Sequence, residues 1–136
     1  MRYLGLDLGS KTLGVAISDK MGLIASSYKI IRHNEDYDGL VEEIQKIVQD
    51  LEIGAIVLGF PKNMNNTVGY KGELSLQFQK KLQDVLSVPI YLQDERLTTK
   101  IATDVLIQGN ISRKKRKKVV DGIAATVILQ SYLDRS

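Results

Sequence analysis

Acidic residues in three distant parts of the chain could act together chemically. Asp7 lies in the alternating segment "RYLGLDLG", Asp94 and Glu95 follow the apolar segment "PIYLQ", and Asp121 precedes the small residues of "GIAATVILQ". A carboxylate inside a strand is costly to bury unless it is paired or bound to a cation. Glycines near Asp7 leave room for a ligand to approach the backbone. The sequence therefore predicts that these acids converge on a cation, although a single Asp at a strand or helix end is more often a cap or an ion-pair partner.

The composition restricts which cation these acids can bind. The chain has no cysteine and one histidine, His33, which excludes thiolate catalysis and zinc sites built from Cys or several His residues. We expect His33 to mark a solvated strand end. Oxygen ligands favour hard cations, so Mg²⁺ or Mn²⁺ is the expected cofactor. Two such ions, about 4 Å apart, would activate water and stabilise the leaving oxygen in phosphodiester hydrolysis.

The densest positive charge of the chain immediately precedes Asp121. The net charge is +3, but six of the 19 Lys and Arg residues occupy positions 113–118, and the remaining 13 are outnumbered by 16 acidic residues. A local basic run is typical of a surface that binds phosphate backbones. Cations at a helix N-terminus oppose the helix dipole, so folding stability gives no reason for them there.

These bases, with two others near the acids, form the predicted nucleic-acid interface. Lys117 and Lys118 lie four and three residues before Asp121 and therefore share its helical face. Lys11 and Arg96 are equally well explained as a solvated turn residue and an ion-pair partner. The predicted nucleic-acid-binding residues are Lys11, Arg96, Arg113, Lys114, Lys115, Arg116, Lys117 and Lys118.

The order of the secondary-structure elements predicts how the acids are positioned. Alternating and apolar segments predict strands over 2–9, 12–18, 23–31, 55–60 and 88–93, and helical periodicity predicts helices over 37–51, 74–86, 98–107 and 112–133. Three short-connected strands favour an antiparallel meander, and the two later strands follow helical crossovers. We therefore predict an α/β fold in which a mixed five-stranded sheet, with three antiparallel and two parallel strands, is flanked by helices. The chain contains no linker or repeat, so we expect one domain over residues 1–136.

Four segments of the chain resemble the signature blocks of the YqgF family. They are "GLDLGSKTLGVAISD", "LGFPKNMNNTVG", "DERLTT" and "KKRKKVVDGIAATVILQSYL". The family comprises RNase H-like proteins described as Holliday junction resolvases and as nucleases that mature the 5′ end of small-subunit ribosomal RNA. The resemblance implies an RNase H-like fold and assigns the catalytic and metal-binding acids to Asp7, Glu95 and Asp121. Asn65 and Asn66 depart from the Asp-Gly that is commoner in the family's loop.

The function implied by this resemblance is metal-dependent nuclease activity in 5′-end maturation of the 16S ribosomal RNA precursor. Two alternatives remain open: a Holliday junction resolvase, and a non-catalytic nucleic-acid-binding factor in transcription or ribosome assembly. An actin-like ATPase or sugar kinase would need a second domain, for which the chain is too short. The sequence contains no candidate membrane segment, so we expect a cytoplasmic protein. We also expect the protein to be a monomer or a weak homodimer.

Overall fold

The structure is a computed structural model that describes residues 1–61, 69–94 and 113–135, and for residues 113–122 it describes the backbone alone. In chain order the elements are β1 (Arg2–Leu8), β2 (Thr12–Ser18), β3 (Ala25–Arg32), α1 (Tyr37–Asp50), β4 (Ile53–Phe60), α2 (Tyr70–Val85), β5 (Ile90–Asp94) and α3 (Arg113–Arg135). These elements confirm the predicted order. The helix predicted over 98–107 lies outside the described residues.

The five strands form one mixed sheet in the order β3-β2-β1-β4-β5. Strand β1 pairs antiparallel with β2, and β2 pairs antiparallel with β3, which confirms the predicted meander. Strand β1 pairs parallel with β4, and β4 pairs parallel with β5. The carboxyl ends of β1, β4 and β5 therefore meet at the same edge of the sheet.

Helices cover both faces of the sheet. One face of β1 carries Leu4 and Leu6, which are fully buried in a core shared with α1 and α2. The opposite face packs on α3 through a second core, whose buried members are Ala16, Val57, Ala125, Ile128, Leu129 and Leu133. Strand β4 contributes to both cores, because Ile56 and Leu58 face α1 and α2 while Val57 faces α3. This explains why β4 reads as a continuous apolar run.

A capped turn and a side-chain bridge fix the β2–β3 hairpin. The Asp19 carboxylate accepts hydrogen bonds from the backbone N–H groups of Leu23 (2.8 Å) and Ile24 (2.9 Å). Gly22 has a φ of 71°, in the left-handed region that favours glycine. Gln130 of α3 accepts from the N–H of Ala25 over 2.8 Å, which connects the helix to the edge strand. No helix in the described part of the chain is long and apolar enough to cross a membrane.

Candidate active site

Asp7 lies near the carboxyl end of the central strand. Its side chain is half-buried, and its partner across the antiparallel ladder is Gly14 of β2. Side chains alternate along a strand, so Asp7 shares the α3-covered face with Gly5. Because Gly5 has no side chain, α3 packs directly on the backbone of β1 two residues before Asp7.

The end of β5 lies two strands away at the same edge. Leu6, Leu58 and Leu92 are aligned across the parallel strands. Leu92 packs against the core on the α1–α2 side, so alternation places Gln93 on the α3 side and Asp94 back on the α1–α2 side. The bond from Arg135 of α3 to Gln93 Oε1 (3.1 Å) agrees with this assignment. Glu95 and Arg96 lie outside the described residues.

Helix α3 runs along β1 toward Asp7 as its residue numbers decrease. The rings of Tyr132 and Tyr3 have centroids 5.9 Å apart, at the start of β1. Ala125 and Leu129 pack on Gly5, further along the strand. The helical turn that contains residue 121 is therefore the next toward the carboxyl end of β1. The side chains of Asp121 and of the six bases at 113–118 lie outside the described residues, so their predicted roles stay predictions.

The loop between β1 and β2 carries Lys11 and follows Asp7 by two residues. The Lys11 side chain is exposed, as a phosphate-binding residue or a solvated turn residue would be. The Gly9 N–H donates to the Thr12 carbonyl over 2.8 Å, which closes the loop.

His33 lies against this loop and is buried, so the expectation of a solvated strand end is wrong. Its side chain is 8% exposed, and Nε2 lies 3.0 Å from the Gly9 carbonyl oxygen. The Glu35 N–H donates to Nδ1 over 3.1 Å. Both ring nitrogens thus have partners, which allows the ring to be buried. Each partner is a backbone atom, so no pair of residue types in the sequence could have indicated the contact.

The start of α2 adds a basic side chain that the sequence reasoning missed. Lys71 is exposed and, with Tyr70 and Leu74, lines a cavity of about 60 Å³ opposite Leu8, Gly9 and Ser10. A cavity of this size can hold a few water molecules. Lys71 is nevertheless a cation beside the loop that follows Asp7.

The described side chains do not by themselves form a metal site. Within residues 1–61, 69–94 and 123–135, no three His, Asp or Glu side chains lie close enough together to hold a metal ion. The predicted set of Asp7, Glu95 and Asp121 includes two acids whose side chains lie outside these ranges. The set therefore remains a prediction.

Comparison with known proteins establishes the family. Residues 1–135 match the family model of RuvX, which is described as a Holliday junction resolvase. The chain belongs to the RuvX family. A Bacillus subtilis relative named "Putative pre-16S rRNA nuclease" is 53% identical over 135 residues, which cover 98% of each chain. The RuvX model describes YqgF-like proteins, so the resemblance of this chain to the YqgF family is confirmed.

Solved structures confirm the RNase H-like fold predicted for this RuvX-family chain. RuvC of T. thermophilus in complex with a Holliday junction substrate superposes with a TM-score of 0.61 at 15% identity, covering 99% of this chain and 95% of RuvC. The Holliday junction resolvase of fowlpox virus also gives a TM-score of 0.61, at 13% identity and with 100% of both chains covered. At these identities the similarity concerns the fold alone.

Proposed function

We propose that this RuvX-family chain is a metal-dependent nuclease that hydrolyses phosphodiesters at the carboxyl edge of β1, β4 and β5. The observation that carries the proposal is the position of Asp7. It is a half-buried carboxylate near the end of the central strand, two residues after Gly5 and opposite Gly14, on the face covered by α3. Crevices at the carboxyl ends of parallel strands are where open α/β sheets usually place their sites.

Residues 7, 95 and 121 are the proposed metal ligands. Residue 121 precedes Ala125 by one turn, and Ala125 packs on Gly5. A helical turn rises about 5.4 Å and two strand residues span about 6.6 Å, so the backbone of α3 approaches the level of Asp7 at this turn. Of the adjacent acids Asp94 and Glu95, Asp94 is the last residue of β5 and the less suited, because alternation places it on the opposite face from Asp7. We assign the role to Glu95 on the family resemblance.

The donor set is suited to hard divalent cations. All three proposed ligands are carboxylates, and oxygen donors of this kind favour Mg²⁺ or Mn²⁺. When bound, such ions would lower the pKa of a water nucleophile and stabilise charge on the leaving oxygen. The acids of this chain would hold the ions, and the buried face of the sheet would fix Asp7 in position.

The basic residues would hold the nucleic-acid backbone beside these acids. Arg113, Lys114, Lys115, Arg116, Lys117 and Lys118 begin the helix that leads to residue 121. Lys11 extends from the loop after Asp7, and Arg96 follows Glu95 in the sequence. Carboxylates repel phosphates unless a cation lies between them. The combination of acids and bases therefore supports a metal-dependent enzyme over a simple binding factor.

The proposed substrate is the 5′ region of the 16S ribosomal RNA precursor. The support is the name of the Bacillus subtilis relative, which shares 53% of its residues with this chain across 98% of both sequences. Ribosomal RNA processing would place the protein in the cytoplasm. A four-way DNA junction is the second candidate substrate, supported by the description of the RuvX family.

A cleavage assay with a matched pair of variants tests the proposal. Wild type, Asp7→Asn and Asp84→Asn are incubated with the precursor RNA and with a four-way junction, in Mg²⁺, in Mn²⁺ and in excess EDTA. Asp84 is an exposed acid on α2, on the far side of the sheet from α3, so its replacement controls for loss of one negative charge. We expect wild type and Asp84→Asn to cut RNA only with metal, and Asp7→Asn to be at least about a hundredfold slower, the size typical for loss of one charge-stabilising group.

Other outcomes would change the assignment. Symmetric junction cleavage with intact RNA would identify a resolvase. If wild type binds both substrates and cuts neither, and Asp7→Asn binds as wild type does, the nuclease proposal is wrong and the binding-factor alternative replaces it.

A further inference from the structure

We infer that His33 is a positioning residue for the candidate active site, acting through a hydrogen bond from its Nε2–H to the carbonyl of Gly9. The functional part of this inference rests on the proposed nuclease activity, whereas the contact itself is independent of it. The residue lies just after β3, two strands away from Asp7 in the sheet, and within the described part of the chain it contacts the loop formed by Gly9, Ser10 and Lys11, which follows β1.

The partners of the ring assign its tautomer. Nδ1 receives the N–H of Glu35 over 3.1 Å, so this nitrogen carries a lone pair and no hydrogen. Nε2 faces the Gly9 carbonyl oxygen at 3.0 Å, and because a carbonyl can only accept, Nε2 carries the hydrogen. In this tautomer, Nδ1 accepts from the Glu35 N–H and Nε2 donates to the Gly9 carbonyl.

His33 holds both ends of the loop. Its backbone N–H donates to the Lys11 carbonyl over 2.9 Å, while its ring donates to Gly9. The Gly9 N–H in turn donates to Thr12 within the same loop. The loop begins two residues after Asp7 and ends at Lys11, so these bonds fix the exit of β1 and the backbone from which the Lys11 side chain extends.

The surroundings of the ring keep it in place. Glu35, whose N–H donates to Nδ1, adopts a left-handed conformation with a φ of 63°. The Tyr37 ring lies 5.6 Å from the imidazole, centroid to centroid. Burial, and secondarily the Glu35 carboxylate, raises the pKa of the Tyr37 hydroxyl, so the neutral phenol is favoured there.

Two amide substitutions separate the two bonds of the ring. In His33→Gln, the side-chain N–H₂ can take the place of Nε2–H and keep the bond to Gly9, while the bond from Glu35 is lost. In His33→Asn, the side-chain oxygen can take the place of Nδ1 and keep the bond from Glu35, while the bond to Gly9 is lost. Each variant loses one hydrogen bond, so a purely structural role for His33 predicts similar effects of both.

The experiment measures amide hydrogen exchange at Gly9 in full-length wild type and in both variants, together with kcat and KM for cleavage. We expect the Gly9 amide to exchange about tenfold faster in His33→Asn, the effect of losing one hydrogen bond of about 1.4 kcal/mol, and within about twofold of wild type in His33→Gln. We expect kcat to fall several-fold in His33→Asn, because the loop that follows Asp7 is no longer held in place. We expect little change in KM, because the basic residues at the start of α3 still bind the substrate.

Two results would overturn the inference. If Gly9 exchanges equally fast in the wild type and in His33→Asn, the ring does not hold the loop. If both variants exchange faster at Gly9 or lose kcat to the same extent, His33 has only a structural role. Absence of cleavage by wild type would contradict the proposed nuclease function, and the exchange data would still decide whether His33 holds the loop.

Discussion

Gly5 of β1 lies directly beneath Leu129 of α3, with no space for a side chain between them. A methyl group in place of the Gly5 hydrogen would lie 2.7 Å from Leu129 Cβ and 3.2 Å from the carbonyl oxygen of Ala125. The atoms in the way are thus backbone and Cβ atoms, which cannot move aside by a change of rotamer. The helix that leads to residue 121 can approach the central strand only because position 5 is glycine.

Gly5→Ala is therefore expected to destabilise the protein. Alanine is ordinarily more favourable than glycine within a strand by roughly 0.5–1 kcal/mol. Here the overlap with α3 reverses the sign, and we expect a loss of about 1–3 kcal/mol in the free energy of unfolding, measured by urea denaturation. Leu129→Ala added to Gly5→Ala should not restore stability, since alanine retains the Cβ that is contacted. A double variant as stable as Leu129→Ala alone would contradict the close packing.

The basic residues at the start of α3 should determine how strongly binding depends on salt. Each phosphate contact contributes about 0.7 to 0.9 to the slope of log K against log salt concentration, for single strands and duplexes respectively. Replacing Lys117 and Lys118 by glutamine should therefore lower the slope by about 1.4–1.8, measured by fluorescence anisotropy. The control replaces Lys46 and Lys80, exposed lysines of α1 and α2 on the opposite side of the sheet, and should leave the slope unchanged. Equal slopes for all three proteins would remove the start of α3 from the interface.

Gln130 is expected to stabilise the contact between α3 and the edge of the sheet. Its side chain accepts from the Ala25 N–H over 2.8 Å and donates to the Leu23 carbonyl over 3.0 Å. Gln130→Leu would leave both backbone groups to bond water instead, at a cost of about 0.5–1.5 kcal/mol in thermal or urea unfolding. Gln130→Glu keeps the acceptor for Ala25 but places a carboxylate beside Asp134, to which the Gln130 amide donates over 3.0 Å, so it should also lower the stability. If the leucine variant is as stable as wild type, the bridge does not contribute.

Asp19 is expected to make the β2–β3 hairpin sensitive to acid. Hydrogen bonds from the backbone of Ile24 and Leu23 lower the pKa of Asp19 below its ordinary value of 3.8. The folded-state pKa is the lower one, so the stabilisation is present above pH 3.8 and is lost as the pH falls through the folded-state pKa. NMR titration of the Asp19 carboxyl carbon should give a midpoint below 3.8. Asp19→Asn should unfold with less dependence on pH in this range, and a midpoint at or above 3.8 would contradict the assignment.

Most of the fold could be predicted from local sequence patterns. Alternation in β1 and β2 and the apolar run of β4 follow from which faces of the sheet are buried, and these periods are visible in the sequence. The short β1–β2 and β2–β3 connections predicted the antiparallel meander, and the helical crossovers predicted the parallel strands, as observed. The strand limits differ by one or two residues: β3 ends at Arg32 and β5 at Asp94, because pairing continues beyond the apolar positions.

The sequence by itself determined the residue types of the candidate site and the order of the elements that carry them. The sequence also showed that Asp7 is a carboxylate within a strand and that the chain has no cysteine. Together these two observations point to a metal site with oxygen ligands. Only the tertiary structure decided that Asp94 faces away from Asp7, that α3 packs closely on Gly5, and that His33 holds the Gly9 loop. These three facts depend on contacts between residues far apart in the chain and largely on backbone atoms. Backbone atoms are the same for nearly every residue type, so their contacts leave no pattern in a single sequence.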